Sequence, residues 1–168
     1  MRQFHGIGKA GEIVQHTGSE CVNWAGHIKG ENVSVAGNLL MGPHVIEETI
    51  DAWNTNADTE FAERLLLAME AGEAAGGDKR GKQAAAIKIY RGQPYPDLDL
   101  RVDDHADPLQ ELRRLLRVAH EQYMIFKTGF PTTENFSGMI DRHPLDQIIA
   151  KVEEERRQQG YVSSSHAI

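Results

Sequence analysis

The stretch Gly72 to Ile89 (GEAAGGDKRGKQAAAIKI) limits the folds open to this chain more than any other. Gly72, Gly76, Gly77 and Gly81 surround Asp78, Lys79, Arg80, Lys82 and Gln83. Glycines let a backbone take positive φ and approach another backbone or a ligand closely. Charged groups on such a turn, at the mouth of a core strand, stand where binding groups usually stand. The same residues equally suit a helix C-cap followed by a solvated loop.

A helix and a strand must flank this turn. Upstream, Phe61, Leu65 and Met69 line one face of a helix with Ala62 and Leu66 beside them. Ala68, Ala71, Gly72 and Ala75 form a second, small face, and Thr59 suits the N-cap. Before it, Pro43 opens a helix whose Val45, Ile46, Thr49, Ile50 and Trp53 fall on one stripe. Residues 2–8 and 12–17 read as two strands around Lys9-Ala10-Gly11, with Phe4, Ile7, Ile13 and Val14 as their apolar side chains. Residues 18–31 read as a loop carrying Cys21, Trp24 and His27, and 32–40 as a third strand. Downstream, 84–90 and 98–103 alternate as an antiparallel pair. Asp107 and Pro108 start a helix with Leu109, Leu112, Leu116, Ala119, Tyr123 and Phe126 on its buried side. Residues 127–141 have no period. A last helix opens at Pro144, buries Leu145, Ile148, Ile149 and Val152, and ends at Gly160 before a Ser-rich tail expected to fray. The order βββααββαα predicts an α+β layered domain with antiparallel sheets.

Bulk properties narrow the function. The chain has 168 residues, the size of one ordinary domain. Acidic residues outnumber basic ones by 25 to 18, which argues against a nucleic-acid partner. Cys21 is the single cysteine, so no intrachain disulfide is possible. No apolar run reaches the ~20 residues that span a bilayer, and the N-terminus lacks the apolar core of a signal peptide. These features predict a soluble, cytoplasmic protein with no membrane partner.

Candidate chemistry is polar. Asp78 and Arg80 can pair with each other, or Arg80 can hold a carboxylate or amide ligand through two parallel hydrogen bonds. Gln83 can donate and accept at once. Asp103, Asp104 and His105 could hold a divalent metal, yet consecutive strand side chains point to opposite faces, so a structural role is expected and no metal or cofactor is predicted. His27 can titrate near neutrality, and Asn38 can orient an oxyanion or bond its own turn. Cys21 is expected to be a small buried hydrophobe.

Several segments together resemble the DUF1028 family, bacterial proteins of unknown function placed in the N-terminal-nucleophile (Ntn) hydrolase superfamily. They are Arg2-Gln3, HTGSECVNWAGH (16–27), GNLL (37–40), AERLLLAMEAGEAAGGDKRGKQAAA (62–86) and DLRVDDHADPLQELRRL (99–115). The last contains Arg101, Asp103, Asp104 and His105 as a structural motif. The resemblance implies an αββα sandwich over residues 1–126, followed by a loop, a helix and a flexible tail over 127–168. It implies hydrolysis of an amide bond in a small or peptide-like substrate by an N-terminal Thr, Ser or Cys whose α-amino group is the base. Asn38, Asp78, Arg80 and Gln83 would line the pocket and His27 would assist. Arg2-Gln3 corresponds to an interior position of the family, so the first strands and the nucleophile are expected to be absent, and Met1 is not a self-cleaved start. About five strands are too few for two full sheets. The expectation is therefore a truncated body or a homo-oligomer that covers its own open sheet. The alternative is a non-catalytic module that binds a small ligand or assembles on the same scaffold.

Overall fold

Alternation of side chains brings the first residues into a hairpin. In the computed structural model, which describes residues 2–166, β1 (Gln3–Ile7) and β2 (Ile13–Thr17) pair antiparallel around Gly11. Met1, on which the expectation about self-cleavage rested, lies outside the described residues. The chain divides into two compact units, residues 1–84 with 103–109, and residues 85–102 with 110–168.

In the first unit the stretch 18–31 is not all loop. Its second half is β3 (Gly26–Gly30), antiparallel to β4 (Val33–Gly37). Two terminal glycines and a lone apolar Ile28 hide this strand, because glycine is depleted in strands and adds nothing to the hydrophobic alternation. His27 is therefore a strand residue.

The register decides what lies between the hairpins. Gln3 is opposite Thr17, His5 opposite Gln15 and Ile7 opposite Ile13, so these six share one face. That face meets β3–β4. Gln15 Nε2 donates to the Ile28 carbonyl at 2.7 Å and the Ser34 hydroxyl at 2.9 Å, and His5 Nδ1 lies 2.8 Å from Ser34 Oγ. Phe4 and Val14, two of the apolar side chains of these strands, occupy the opposite face, and with Ile7 each is more than half exposed. The seam between the hairpins is polar.

The helices cover the other side of β3–β4, where Ile50 packs against Gly30. α1 (His44–Thr55) has Pro43 at its N-cap and buries Val45, Ile46, Ile50 and Trp53, the expected stripe. α2 (Phe61–Ala74) is capped by Glu60 rather than Thr59. Its carboxylate accepts the N–H groups of Ala62 at 2.9 Å and Glu63 at 3.1 Å, where negative charge is favoured. Ala62, Leu66, Ala68 and Gly72 are buried, whereas Phe61 is exposed. Helix contact runs over small residues: a Cβ on Gly72 would collide with the Thr49 hydroxyl of α1.

In the second unit β5 (Ala85–Ile89) and β6 (Leu98–Val102) pair antiparallel as expected, burying Ile87, Ile89, Leu98 and Val102. Lys88 and Asp99 join across the strands at 3.0 Å. α3 (Pro108–Val118) runs into a π-helical turn (Ala119–Tyr123), a short turn (Met124–Phe126) and a 3-10 turn (Lys127–Gly129). α4 (His143–Gln158) buries Leu145 alone; Ile148 is exposed, contrary to its periodic position. The strands form three two-stranded antiparallel sheets among the described residues, and no described helix is long and apolar enough to cross a membrane.

Candidate active site

The ends of four strands meet at one side chain. Gln3, on β1, offers its two amide protons to three acceptors: the Thr17 hydroxyl of β2 at 2.9 Å, the Gly26 carbonyl of β3 at 3.0 Å and the Gly37 carbonyl of β4 at 2.9 Å. Its Oε1 accepts from Asn38 Nδ2 at 3.1 Å. Gly26 and Gly37 are register partners, and side chains there would meet the Trp24 ring and Leu40.

Thr17 extends the network to His27, whose Nδ1 lies 2.8 Å from Oγ1. Because Thr17 Oγ1 already accepts from Gln3, its own proton can go to the imidazole. The result is a hydroxyl–imidazole pair beside a carboxamide. Asn38 is exposed. A carboxamide carries two N–H groups, and the contact with Gln3 engages one of them.

The backbone at this point is unusual. Leu39 has φ 60°, a region rarely taken by branched side chains and often found at functional sites. Neighbours hold it there. Its N–H donates to the Val22 carbonyl at 3.3 Å, and its carbonyl accepts from the Lys79 N–H at 2.8 Å. Leu40 N–H donates to the Trp24 carbonyl at 3.1 Å, Met41 N–H to the Gly77 carbonyl at 3.0 Å, and Leu40 bridges Asp78 antiparallel.

The glycine-rich stretch thus does two jobs. It ends α2 in a Schellman arrangement, with Gly77 N–H on the Gly72 carbonyl at 3.1 Å and Gly76 N–H on the Glu73 carbonyl at 2.9 Å. It then pairs with the segment that follows Asn38. Lys79 Nζ reaches the Asn23 carbonyl at 3.1 Å.

Asp78 and Arg80 close on each other. Arg80 Nε and Nη2 donate to the two carboxylate oxygens at 2.9 and 2.6 Å, and the Arg80 N–H adds a third bond at 2.8 Å. The guanidinium hydrogen bond, joined by the backbone bond and the positive charge, outweighs burial and holds the Asp78 carboxyl at about 2. Gln83 turns elsewhere. Its Nε2 donates to Asp104 at 3.2 Å and its carbonyl accepts the His105 N–H at 3.0 Å. His105 Nδ1 faces the Asp107 carbonyl and N–H, and Lys82 lies 3.3 Å from Glu73 and 3.4 Å from Asp107. Arg101 sits on β6, exposed, and Asp103 is exposed. Among the described residues no group of three or more His, Cys, Asp or Glu could hold a metal ion. Cys21 is half-buried, with Sγ 3.3 Å from the Arg2 carbonyl.

Of the residues singled out by sequence, His27 and Asn38 are joined in one network, and Asp78 is tied by backbone to the same segment. Gln83, Asp104 and His105 form a separate clip. Sequence reading passed over Gln3 and Thr17 as functional side chains. Their signal was the register: two polar residues facing each other at the end of a strand pair.

Comparison with known proteins decides the family. The model of a family of unknown function, DUF1028, matches residues 1–112. The chain belongs to the DUF1028 family. The match takes in every residue of the network, the glycine-rich stretch and the Asp104–His105 clip. The crystal structure of a DUF1028 protein from Silicibacter pomeroyi is similar at 27% identity and a TM-score of 0.71, over 83% of this chain and 62% of that one. The chain therefore spans less than two thirds of that DUF1028 protein's length. No curated protein matches it.

Proposed function

We propose that this DUF1028 chain is an Ntn-hydrolase-type domain and that the network at its strand ends handles an amide bond of a small or peptide-like substrate. The observation that supports this most is the meeting of a carboxamide, a hydroxyl–imidazole pair and a strained backbone at Asn38–Leu39. Asn38 donates its second N–H to the substrate carbonyl, where negative charge develops as the carbon becomes tetrahedral. His27, whose ring is oriented by the Thr17 hydroxyl, carries a proton to or from the departing amine. Gln3 and Thr17 hold these two side chains in place. Arg80, spent on Asp78, shapes the turn behind Asn38. The new bond to the carbonyl carbon is formed by a nucleophile outside the residues named here, in this class of enzyme an N-terminal Thr, Ser or Cys, and the C–N bond breaks as the departing amine takes a proton from His27. The test is release of amine from a panel of small amides. Activity should fall about 100-fold or more in Asn38→Ala, and by a smaller factor in His27→Ala. Hydrolysis unchanged by Asn38→Ala would refute the assignment.

A second reading is a non-catalytic module that assembles through its outer hairpin, favoured by the exposure of Phe4, Ile7 and Val14. Its mark would be binding of amides without turnover, together with a homo-oligomer that Phe4→Lys takes apart.

A further inference from the structure

The second unit carries a group that takes no part in amide chemistry. Glu121 is 6% exposed, the one buried charged side chain among the described residues. It lies in the π-helical turn Ala119–Tyr123, a widening of the helix that recurs at functional positions. A buried carboxylate is costly unless it is hydrogen-bonded. Here the chain's own last segment supplies the bonds. The Tyr161 hydroxyl and the Ser164 N–H donate to Oε1 at 2.9 and 2.8 Å, and the Ser163 hydroxyl donates to Oε2 at 2.5 Å. Arg114 and Arg117 hold Ser164 from the flank, at 2.8 Å to its carbonyl and 3.2 Å to its hydroxyl. The tail expected to fray is tied down through these residues.

What holds this segment is polar. Val162 is 83% exposed and Tyr161 45% exposed, so little apolar burial anchors it; besides the three bonds to Glu121 it is held by Arg114, Arg117 and a Tyr161 N–H bond to the Arg156 carbonyl at 2.9 Å. Gly160, at φ 63°, separates it from α4. Tyr161 and Ser163 also wall a cavity of about 480 Å³ whose other sides include Phe126, Ile149, Glu153 and Arg157. A segment held by so few groups opens at lower cost than the fold itself.

We propose that residues 161–165 are a releasable strap, clasped by Glu121, and that its release opens this cavity. Hydrogen exchange at the Ser164 amide of the 168-residue chain reads the clasp directly. The wild-type amide should exchange at least about tenfold slower than in an unstructured peptide. Ser163→Asp sets a second carboxylate against Glu121. It should remove that protection and increase the fluorescence of an apolar dye severalfold, with an unchanged far-ultraviolet circular dichroism spectrum. Glu121→Gln should also release the strap; Ser163 is exposed, so the Asp variant remains informative if Glu121→Gln fails to fold. An unprotected Ser164 amide in the wild type, protection retained in Ser163→Asp, or release without dye uptake would each overturn the proposal.

Discussion

Gln3 is the residue on which the strand ends depend. Its side chain satisfies two backbone carbonyls, a hydroxyl and a carboxamide at once. Removing one partner from a partly buried network costs about 1–3 kcal/mol. Gln3→Ala should therefore lower stability by that amount in urea denaturation, and the Asn38 side-chain amide signals should broaden or shift. Asp78 gives a prediction in pH. Its carboxyl is held at about 2 against an ordinary 3.8, chiefly by the Arg80 guanidinium. A depressed carboxylate contributes stability that is complete above its unfolded value and lost as the pH falls through its folded one. The turn should thus stay ordered from neutrality to about pH 4 and loosen toward pH 2. A carbon-13 titration of the Asp78 carboxyl should show the low midpoint, and Arg80→Ala should return it toward the ordinary value. A normal midpoint in the wild type would mean that the pair does not persist in solution.

At the scale of elements, much was legible where a pattern and a punctuation mark agreed. Pro43 and Pro108 stand at helix starts, Gly160 follows α4, and Ile87, Ile89, Leu98 and Val102 are inward on their strands. What failed were elements whose pattern is not hydrophobic. β3 is bounded by glycines, and the inner face of β1–β2 mixes Gln3, His5, Gln15 and Thr17 with Ile7 and Ile13, so hydrophobic alternation does not mark it. α2 buries residues from both faces named from sequence, Ala62 and Leu66 of the larger and Ala68 and Gly72 of the small one, while Phe61 stays exposed. Two substitutions test this. Leu66, fully buried in α2, should cost about 2–5 kcal/mol on change to Ala. Gly76 has φ 113°, and a Cβ there would sit 3.0 Å from Met41. Gly76→Ala should cost about 1–2 kcal/mol and disturb Asn38 as well, because the same turn caps α2 and pairs with residues 39–41. Loss of stability with the Asn38 signals unmoved would show that the two roles are separate.

At the scale of the whole molecule, the first unit has a helix pair on one side of β3–β4 and a second hairpin on the other, with a polar seam that ends at Asn38. The sequence pointed to that end through Asn38, His27 and the glycine-rich stretch. It could not say which polar residues converge, because convergence depends on register. Asp78–Arg80 lies behind the Asn38 segment as a closed pair, and Gln83 belongs to the clip at Asp104 and His105. The outer face with Phe4 and Val14 is open, so the oligomeric state is a prediction at this scale: sedimentation should show self-association that weakens in Phe4→Lys. The claim on which the functional account rests is that the strand ends around Asn38 receive an amide carbonyl. It is tested most directly by titrating the 168-residue chain with a small amide while following side-chain signals by NMR. The Asn38 carboxamide and the His27 ring should shift together and saturably, and Asn38→Ala should abolish the response at His27. A response confined to other parts of the chain, or one that Asn38→Ala leaves intact, would contradict it.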